Sequence, residues 1–530
     1  MSPPTIQTTP SRGSAPVQFA PTSSSGERTP SQVTPGGSQK QRTVESLDTE
    51  YRGPIIPPGG SCRTLVLCFD GTGDQFDDDN SNIVQLFSML KKGDTSRQMV
   101  YYQAGIGTYT IPQIATPMYA KLSKTVDMML AHNLNHHTMG GYEFLMENYR
   151  EGDKICIFGF SRGAFTARAL AGMVHKKVGL LPASNHQQVP FAYKMYMRDD
   201  EKGWDQSVLF KKTFSMDVPI EFVGVWDTVS SVGIVPKRLP FTRSNTCIKT
   251  FRHAISLDEH RAKFKPNLYQ RICEKDAKIE EKKYAHERKK GLRALGHVQS
   301  DKEKQELEMR YTDRTKPTDV LEVWFAGCHC DVGGGSVKND TRHSLARIPL
   351  RWMIRQCFLT NTGIQFEAEK LRDIGLRPCS LYPHVQPRPP AHPTHEQMST
   401  MSTAHTLIGA IGRFVSEPFS DSSSSSDSDC AENPLTEEEE DMNDALCRIN
   451  DQLEISKGWW LLEMLPTHER IQNDDGTWRR KYSFNMGRPR TVAQDKCPLK
   501  VHRTVKLRME ADALNYRPRV KFDVEPEWVD

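Results

Sequence analysis

Five short apolar runs, each breaking off into Gly, Asp or Ser, constrain the fold of this chain more than any other feature. They are TLVLCF before DGTGD, QMVYYQ before AGIG, KICIFGF before SRG, PIEFVGVW before DTVSS and DVLEVWF before AGCHCDVGGG. Runs of strand length with no polar alternation belong in a sheet buried on both faces, and such sheets are parallel because crossover helices cover them. The intervening segments can supply those helices. NIVQLFSMLKK and the stretch from Met118 to Arg150 both carry helix-like apolar spacing. The expectation is an α/β domain with a mostly parallel sheet and helices on both faces. Functional groups of such sheets gather at the carboxyl ends of the strands, and every Gly-, Asp- or Ser-rich break of this chain falls at such an end.

The remainder of the chain is arranged around that domain, which is assigned to residues 61–382. Residues 1–60 are rich in Ser, Thr, Pro, Gln and Gly, with too few large apolar side chains to offset the entropy of ordering, so a disordered tail is expected. Residues 261–318 carry 17 Lys or Arg against 10 Asp or Glu and few apolar residues. That pattern reads as an exposed charged helical insertion, with a basic partner surface as the other reading. Residues 383–445 open on PHVQPRPPAHPTHE and end on SDSSSSSDSDCAENPLTEEEED, and are expected to be mostly flexible. Within them, TLIGAIGRFV is either a membrane-touching amphipathic helix or a packing segment. From 446 to 530 aromatic and β-branched residues return in GWWLLEMLP, KYSFNMGRPRTV and VHRTVKLRM, and this segment is expected to pack back on the main domain.

Composition excludes several classes. The formal charge of +4, from 70 basic and 66 acidic residues, leaves no electrostatic footprint for nucleic acid. No apolar run approaches the ~18–20 residues of a membrane-spanning helix, and the first thirty residues lack the apolar core of a secretory signal. An intracellular, cytoplasmic protein is therefore expected. Twelve scattered cysteines without a CxxC give no disulfide framework and no zinc ribbon, and read as small buried thiols of a reducing compartment.

The strongest local signal is ICIFGFSRGAF, where an apolar strand enters Gly159-Phe160-Ser161-Arg162-Gly163 and a helix-compatible run follows. GxSxG between strand and helix is the setting of a nucleophile elbow: the tight turn stands the Ser hydroxyl free, and flanking glycines relieve crowding between strand and helix. A Ser nucleophile needs a base, and the base an orienting acid, in the chain order Ser, acid, His on α/β-hydrolase sheets. Asp227 in GVWDTVSS and His329 in GCHCDVGGG stand at the next suitable strand ends in that order. Asp227 alone could be a turn residue. His329 could instead be a buried hydrogen-bonded His or a metal ligand beside Cys328, Cys330 and Asp331. Adjacent residues of an extended strand point to opposite faces, which sets those three side chains apart. The backbone amides of Gly71 and Thr72, with that of Arg162, are the candidate oxyanion donors. Asp70 and Asp331 are candidates for site support, Asp70 as an anchor of its loop. DGTGD lacks a following GK[ST] and is no P-loop. His132, His136 and His137 read as surface or packing residues, while His253 and His260 could line a pocket wall.

Taken together, FDGTGD, YYQAGIGT, GFSRGAFTARALAGM, VGVWDTV, FRHAISLDEHR and WFAGCHCDVGGG resemble, in this order, an α/β-hydrolase family. Its best-known members are the catalytic domains of bacterial type VI secretion phospholipase effectors, and the extra charged and low-complexity segments here are similar to those of its eukaryotic, fungal-like branch. The resemblance covers roughly 63–260 and 319–357. It implies an α/β-hydrolase-like fold, a Ser161–Asp227–His329 triad and an ester or lipid substrate. The expected function is a lipase- or phospholipase-like serine ester hydrolase that needs neither metal nor organic cofactor. Peripheral membrane contact could run through TLIGAIGRFV and GWWLLEMLP. The alternative is a weakly active or inactive hydrolase-fold protein that binds partners through its basic insertion.

Overall fold

The computed structural model describes residues 53–60, 62–105, 135–229, 248–269, 317–389, 435–464, 466–472, 478–492, 498–511 and 514–530. Its centre is an eight-stranded sheet. In chain order the strands are β1 (Thr64–Phe69), β2 (Gln98–Gln103), β3 (Lys154–Phe160), β4 (Ile220–Trp226), β5 (Ile248–Ser256), β6 (Asp319–Phe325), β7 (Lys500–His502) and β8 (Glu527–Val529). They lie side by side in the order β8-β7-β6-β5-β4-β3-β1-β2, every neighbouring pair parallel. The expected α/β-hydrolase-like fold is what forms, and β1 to β6 are built from the five apolar runs together with IKTFRHAIS.

Alternation along each strand divides the core into two layers. Leu65, Leu67 and Phe69 of β1 face one layer with Ile155 and Ile157 of β3, while Val66, Cys68, Cys156, Phe158 and Phe160 face the other. Helix α2 (Ser161–Ala171) and residues 135–148, also helical, cover the first layer. Helices α1 (Asn82–Met89) and α6 (Arg347–Leu359) cover the second. The described chain further includes α3 (Val189–Met197), α4 (Glu201–Phe214), α5 (His329–Gly333), α7 (Glu437–Ala445) and α8 (Arg503–Glu510). All six residues of β1 are at most 1% exposed. At ~1.5–3 kcal/mol for each large apolar side chain removed from water, this strand alone gives a large driving force.

The strand order matters for the site. The connection after β1 runs to the edge strand β2, and the next returns past β1 to β3, so direction reverses between β1 and β3. In open α/β sheets that reversal opens a crevice at the carboxyl ends, where ligands bind. DGTGD and SRG meet there.

Three boundaries differ from the sequence expectation. Ile55 and Ile56, placed in the tail, pair with Phe366 and Glu367. Residues 261–269, assigned to the exposed insertion, include buried Arg261, Ala262 and Asn267. The acidic TEEEED, read as the end of a flexible segment, starts α7, whose Glu437, Glu440, Asp441 and Asp444 are buried against arginines. Arg351 Nη2 donates to Asp441 Oδ1 and Asp444 Oδ2, both at 2.6 Å, and Arg355 Nη1 to Glu437 Oε2 at 2.9 Å. The C-terminal region does more than pack on the domain, since β7 and β8 extend the main sheet. TLIGAIGRFV, His132, residues 1–52 and most of the charged insertion lie outside the described residues. Among the described residues no helix is long and apolar enough to cross a membrane.

Candidate active site

The turn from β3 into α2 is set by its glycines. A Cβ on Gly159 would stand 2.5 Å from the Gly163 carbonyl oxygen, and one on Gly163 would stand 2.3 Å from the carbonyl oxygens of both Phe69 and Asp70. Only bare backbone fits at either place. The helix therefore starts close against the ends of β1 and β3, and Ser161 between the glycines is forced to φ 58°, a region that L-residues other than Gly rarely enter. This is the strained geometry of an elbow.

His329 and Asp227 reach Ser161 from two other strand ends. Ser161 Oγ donates to His329 Nε2 at 2.8 Å, and His329 Nδ1 donates to Asp227 Oδ2 at 2.5 Å. All three are buried, with Ser161 4% exposed. His329 is not extended, as the strand reading had it, but is the first residue of α5. Asp331 makes that turn, its Oδ2 accepting from the Cys328 N–H at 2.8 Å and its carboxylate also holding the N–H and Nδ2 of Asn450. Burial raises the Asp331 carboxyl to about 6. Cys328 Sγ meets the Asp258 carbonyl at 3.5 Å. The His329 ring lies between Phe160 at 4.7 Å and Phe264 at 4.8 Å, and the backbone N–H of His329 donates to Glu259 Oε2 at 3.3 Å.

Asp227 accepts on all sides. Oδ1 takes the Ser256 N–H at 3.0 Å and Arg490 Nη1 at 2.6 Å, and Oδ2 takes His329 and Arg490 Nη2 at 2.8 Å. Burial by itself would raise this carboxyl, but the Arg490 guanidinium and the His329 bond outweigh it and hold it far below the usual carboxylate range. Burial lowers His329 in turn, against the pull of Asp227, so its imidazole is neutral near pH 7. A neutral imidazole whose Nδ1–H is fixed on a carboxylate presents Nε2 as an acceptor. That is the state in which it can take a proton from Ser161.

At the end of β1, Asp70 anchors its loop. Its Oδ1 accepts from Ser81 Oγ at 2.6 Å and its Oδ2 from Tyr102 at 2.8 Å. Its Oδ1 also accepts the Gly71 N–H at 2.8 Å. Gly71 thus gives its amide to Asp70 rather than to the crevice. Thr72 differs, for its Oγ1 is buried with no hydrogen-bond partner among the described residues. The Arg162 amide belongs to the first turn of α2, directly after Ser161.

His253 and His260 are each held by partners of their own. His253 Nε2 accepts the Thr228 N–H at 3.0 Å, and its Nδ1 lies 2.8 Å from Glu322. His260 bridges Asp451 and the Gly487 carbonyl. Sequence reasoning missed Arg490, because nothing in GRPRTV marks a partner 263 residues earlier. It also missed the stack in which Arg261 lies 3.6 Å from the Phe264 ring and 4.7 Å from that of Trp459. The His343, Glu440 and Asp444 cluster has a metal-like spacing. Arg342, Arg347 and Arg351 already pair with its carboxylates.

The profile of the family described as T6SS phospholipase effector Tle1-like, catalytic domain, matches residues 63–356, more than half of the chain. An uncharacterised protein of Saccharomyces cerevisiae, YEL023C, is 28% identical over 572 aligned positions, covering 88% of this chain and 81% of the yeast protein. Among solved structures, an uncharacterised protein from Pseudomonas aeruginosa matches at 16% identity and a TM-score of 0.29, over 57% of this chain and 46% of that one. The Tle1 effector bound to the VgrG spike of the type VI secretion system matches at 17% identity and a TM-score of 0.24, over 60% of this chain and 62% of that one. This chain thus spans less than two thirds of either solved relative. On the span of residues matched, the chain belongs to the Tle1-like family of phospholipase effector catalytic domains.

Proposed function

We propose that the protein is a serine ester hydrolase acting on lipid or phospholipid acyl esters through an acyl-enzyme. The observation that carries this reading is the buried hydrogen-bonded row from Ser161 through His329 to Asp227, begun by a serine at φ 58°. In this mechanism His329 Nε2 takes the proton from Ser161 Oγ as the oxygen attacks the ester carbonyl. Asp227 keeps the Nδ1–H tautomer and stabilises the imidazolium that forms. The Arg162 amide and the Thr72 amide or hydroxyl bind the oxyanion. His329 then gives its proton to the leaving alcohol, and water, deprotonated by the same imidazole, releases the acyl group as a carboxylic acid. The phospholipid class is drawn from the family, whose named members are phospholipase effectors.

The test is release of fatty acid from phosphatidylcholine and phosphatidylglycerol vesicles, wild type beside Ser161→Ala. Wild type should release acid and the variant should fall by about 10⁶ in kcat, as when a triad serine is lost. A variant that hydrolyses at the wild-type rate would remove Ser161 as the nucleophile.

A further inference from the structure

Arg490 is 3% exposed and all five of its N–H donors are used. Nη1 and Nη2 take one oxygen each of Asp227, at 2.6 and 2.8 Å. Nη1 also donates to the Ser256 carbonyl at 3.0 Å, and Nε and Nη2 donate to the Phe264 carbonyl at 3.1 and 2.5 Å. The carboxylate is as fully engaged as the guanidinium. A carboxylate offers about four acceptor sites, and those of Asp227 hold two Arg490 bonds, the Ser256 N–H and the His329 Nδ1–H. No free site remains toward which it could rotate. The residues around Arg490 are tied to the same place. Asn485 Nδ2 donates to the His260 carbonyl at 2.6 Å, and the Gly487 carbonyl meets His260 Nδ1 at 3.0 Å.

We propose that Arg490 is a positioning residue of the Ser161 site, fixing the plane of the Asp227 carboxylate and compensating its charge. The proposal rests on the reading of Ser161 as nucleophile. Its logic is electrostatic. A buried carboxylate beside an imidazole recruits a proton to the pair unless another cation already balances it. The bidentate guanidinium supplies that balance from outside the proton path, and His329 stays free to accept from Ser161. The other charged or titratable groups that act on the Asp227–His329 pair are Glu259 and Arg261 from the segment after β5 and His253 on β5, while Cys328, Cys330 and Asp331 adjoin His329 in its own turn. Glu259 and Arg261 pair with each other at 2.8 Å, and Asp331 is occupied by Cys328 and Asn450. This leaves Arg490 as the cation that contacts Asp227 directly. The C-terminal region thereby becomes part of the active centre.

The experiment follows the pH dependence of inactivation by a fluorophosphonate probe, and of ester kcat/KM, in full-length wild type, Arg490→Gln and Arg490→Lys. In Arg490→Gln the pair should take up its proton at higher pH, moving the acid limb up by about one unit or more, a tenfold loss per unit at pH below the limb. Arg490→Lys keeps the charge but not the fork. Its limb should stay near that of wild type, while its plateau rate falls by roughly tenfold through loss of the bidentate hold. An Arg490→Gln limb that does not move overturns the proposal. If Arg490→Gln fails to fold, Arg490→Lys decides alone, and either a raised limb or an unchanged plateau overturns the proposal. A folded wild type that takes no label removes the Ser161 reading and this proposal with it. Labelling of wild type at Ser161 with unmoved variant limbs removes only the role of Arg490.

Discussion

Replacing Gly163 by Ala adds one methyl group at the point where the elbow helix touches the end of β1. That methyl would sit 2.3 Å from two backbone carbonyl oxygens, of Phe69 and Asp70, where ordinary contact begins at 3.4 Å. Neither oxygen can swing aside, because both belong to the main chain at the strand end, so the start of α2 must retreat by about 1 Å. Ser161 is the first residue of that helix, and its 2.8 Å bond to His329 would be drawn out to the limit of a hydrogen bond. A misplacement of ~1 Å costs on the order of 10²-fold in rate, and an overpacked contact costs about 1–3 kcal/mol in stability. The assay is the second-order rate of fluorophosphonate labelling beside a thermal melt, with Gly93→Ala as control. The nearest atom to a Cβ at Gly93 is the mobile Nζ of Lys91 at 3.7 Å, so the control should match wild type. Gly163→Ala labelled at the wild-type rate, with an unchanged melt, would refute the argument that close helix–strand approach builds the site.

Other outcomes follow from buried charge. Arg351→Met removes the guanidinium that bridges Asp441 and Asp444 and leaves only Arg388 and Arg347 near them, so it should cost up to about 3 kcal/mol in urea unfolding, the low end for loss of one partner of a buried ion pair. Burial acts to raise Asp441, but Arg351 and Arg388 outweigh it and hold the carboxyl well below its usual range. Its contribution is therefore complete above the unfolded value of ~3.9 and is lost as pH falls toward the folded one, and Asp441→Asn should remove that part of the acid dependence of stability. His260 has the opposite sign. Burial lowers it, but its bonds to Asp451 and the Gly487 carbonyl prevail and raise it. The stability it lends is full below the unfolded value of ~6.5 and is lost as pH rises through the folded one, so hydrogen-exchange protection factors across 485–490, taken against the intrinsic rate at each pH, should fall at alkaline pH in wild type and vary less with pH in His260→Gln.

Much of this was legible in the sequence because it is local. Apolar runs of six or seven residues between helical patterns read as strands of a covered sheet, and GFSRG between strand and helix marks the tight turn at which Ser161 takes φ 58°. The order of Ser161, Asp227 and His329 at successive breaks was enough to name the residues that the structure brings within hydrogen-bond reach. What escaped were partners distant in the chain. TEEEED has the composition of a solvated acidic tract, and arginines far from it in the chain, among them Arg351 and Arg355 paired 90 and 82 residues away, make it a buried helix. Arg490 is silent for the same reason, and β7 and β8, three residues each, are too short to show a period. The Gly71 amide was assigned to the crevice because sequence shows that a loop can donate, not that Asp70 beside it already accepts.

The account turns on Ser161. Purified wild type and Ser161→Ala would be exposed to a fluorophosphonate probe and digested, and the adduct located by mass spectrometry. The account predicts one adduct, on Ser161 of folded wild type, and none on the equally folded variant. A folded wild type that takes no label, or a Ser161→Ala protein labelled as fast as wild type, would contradict it.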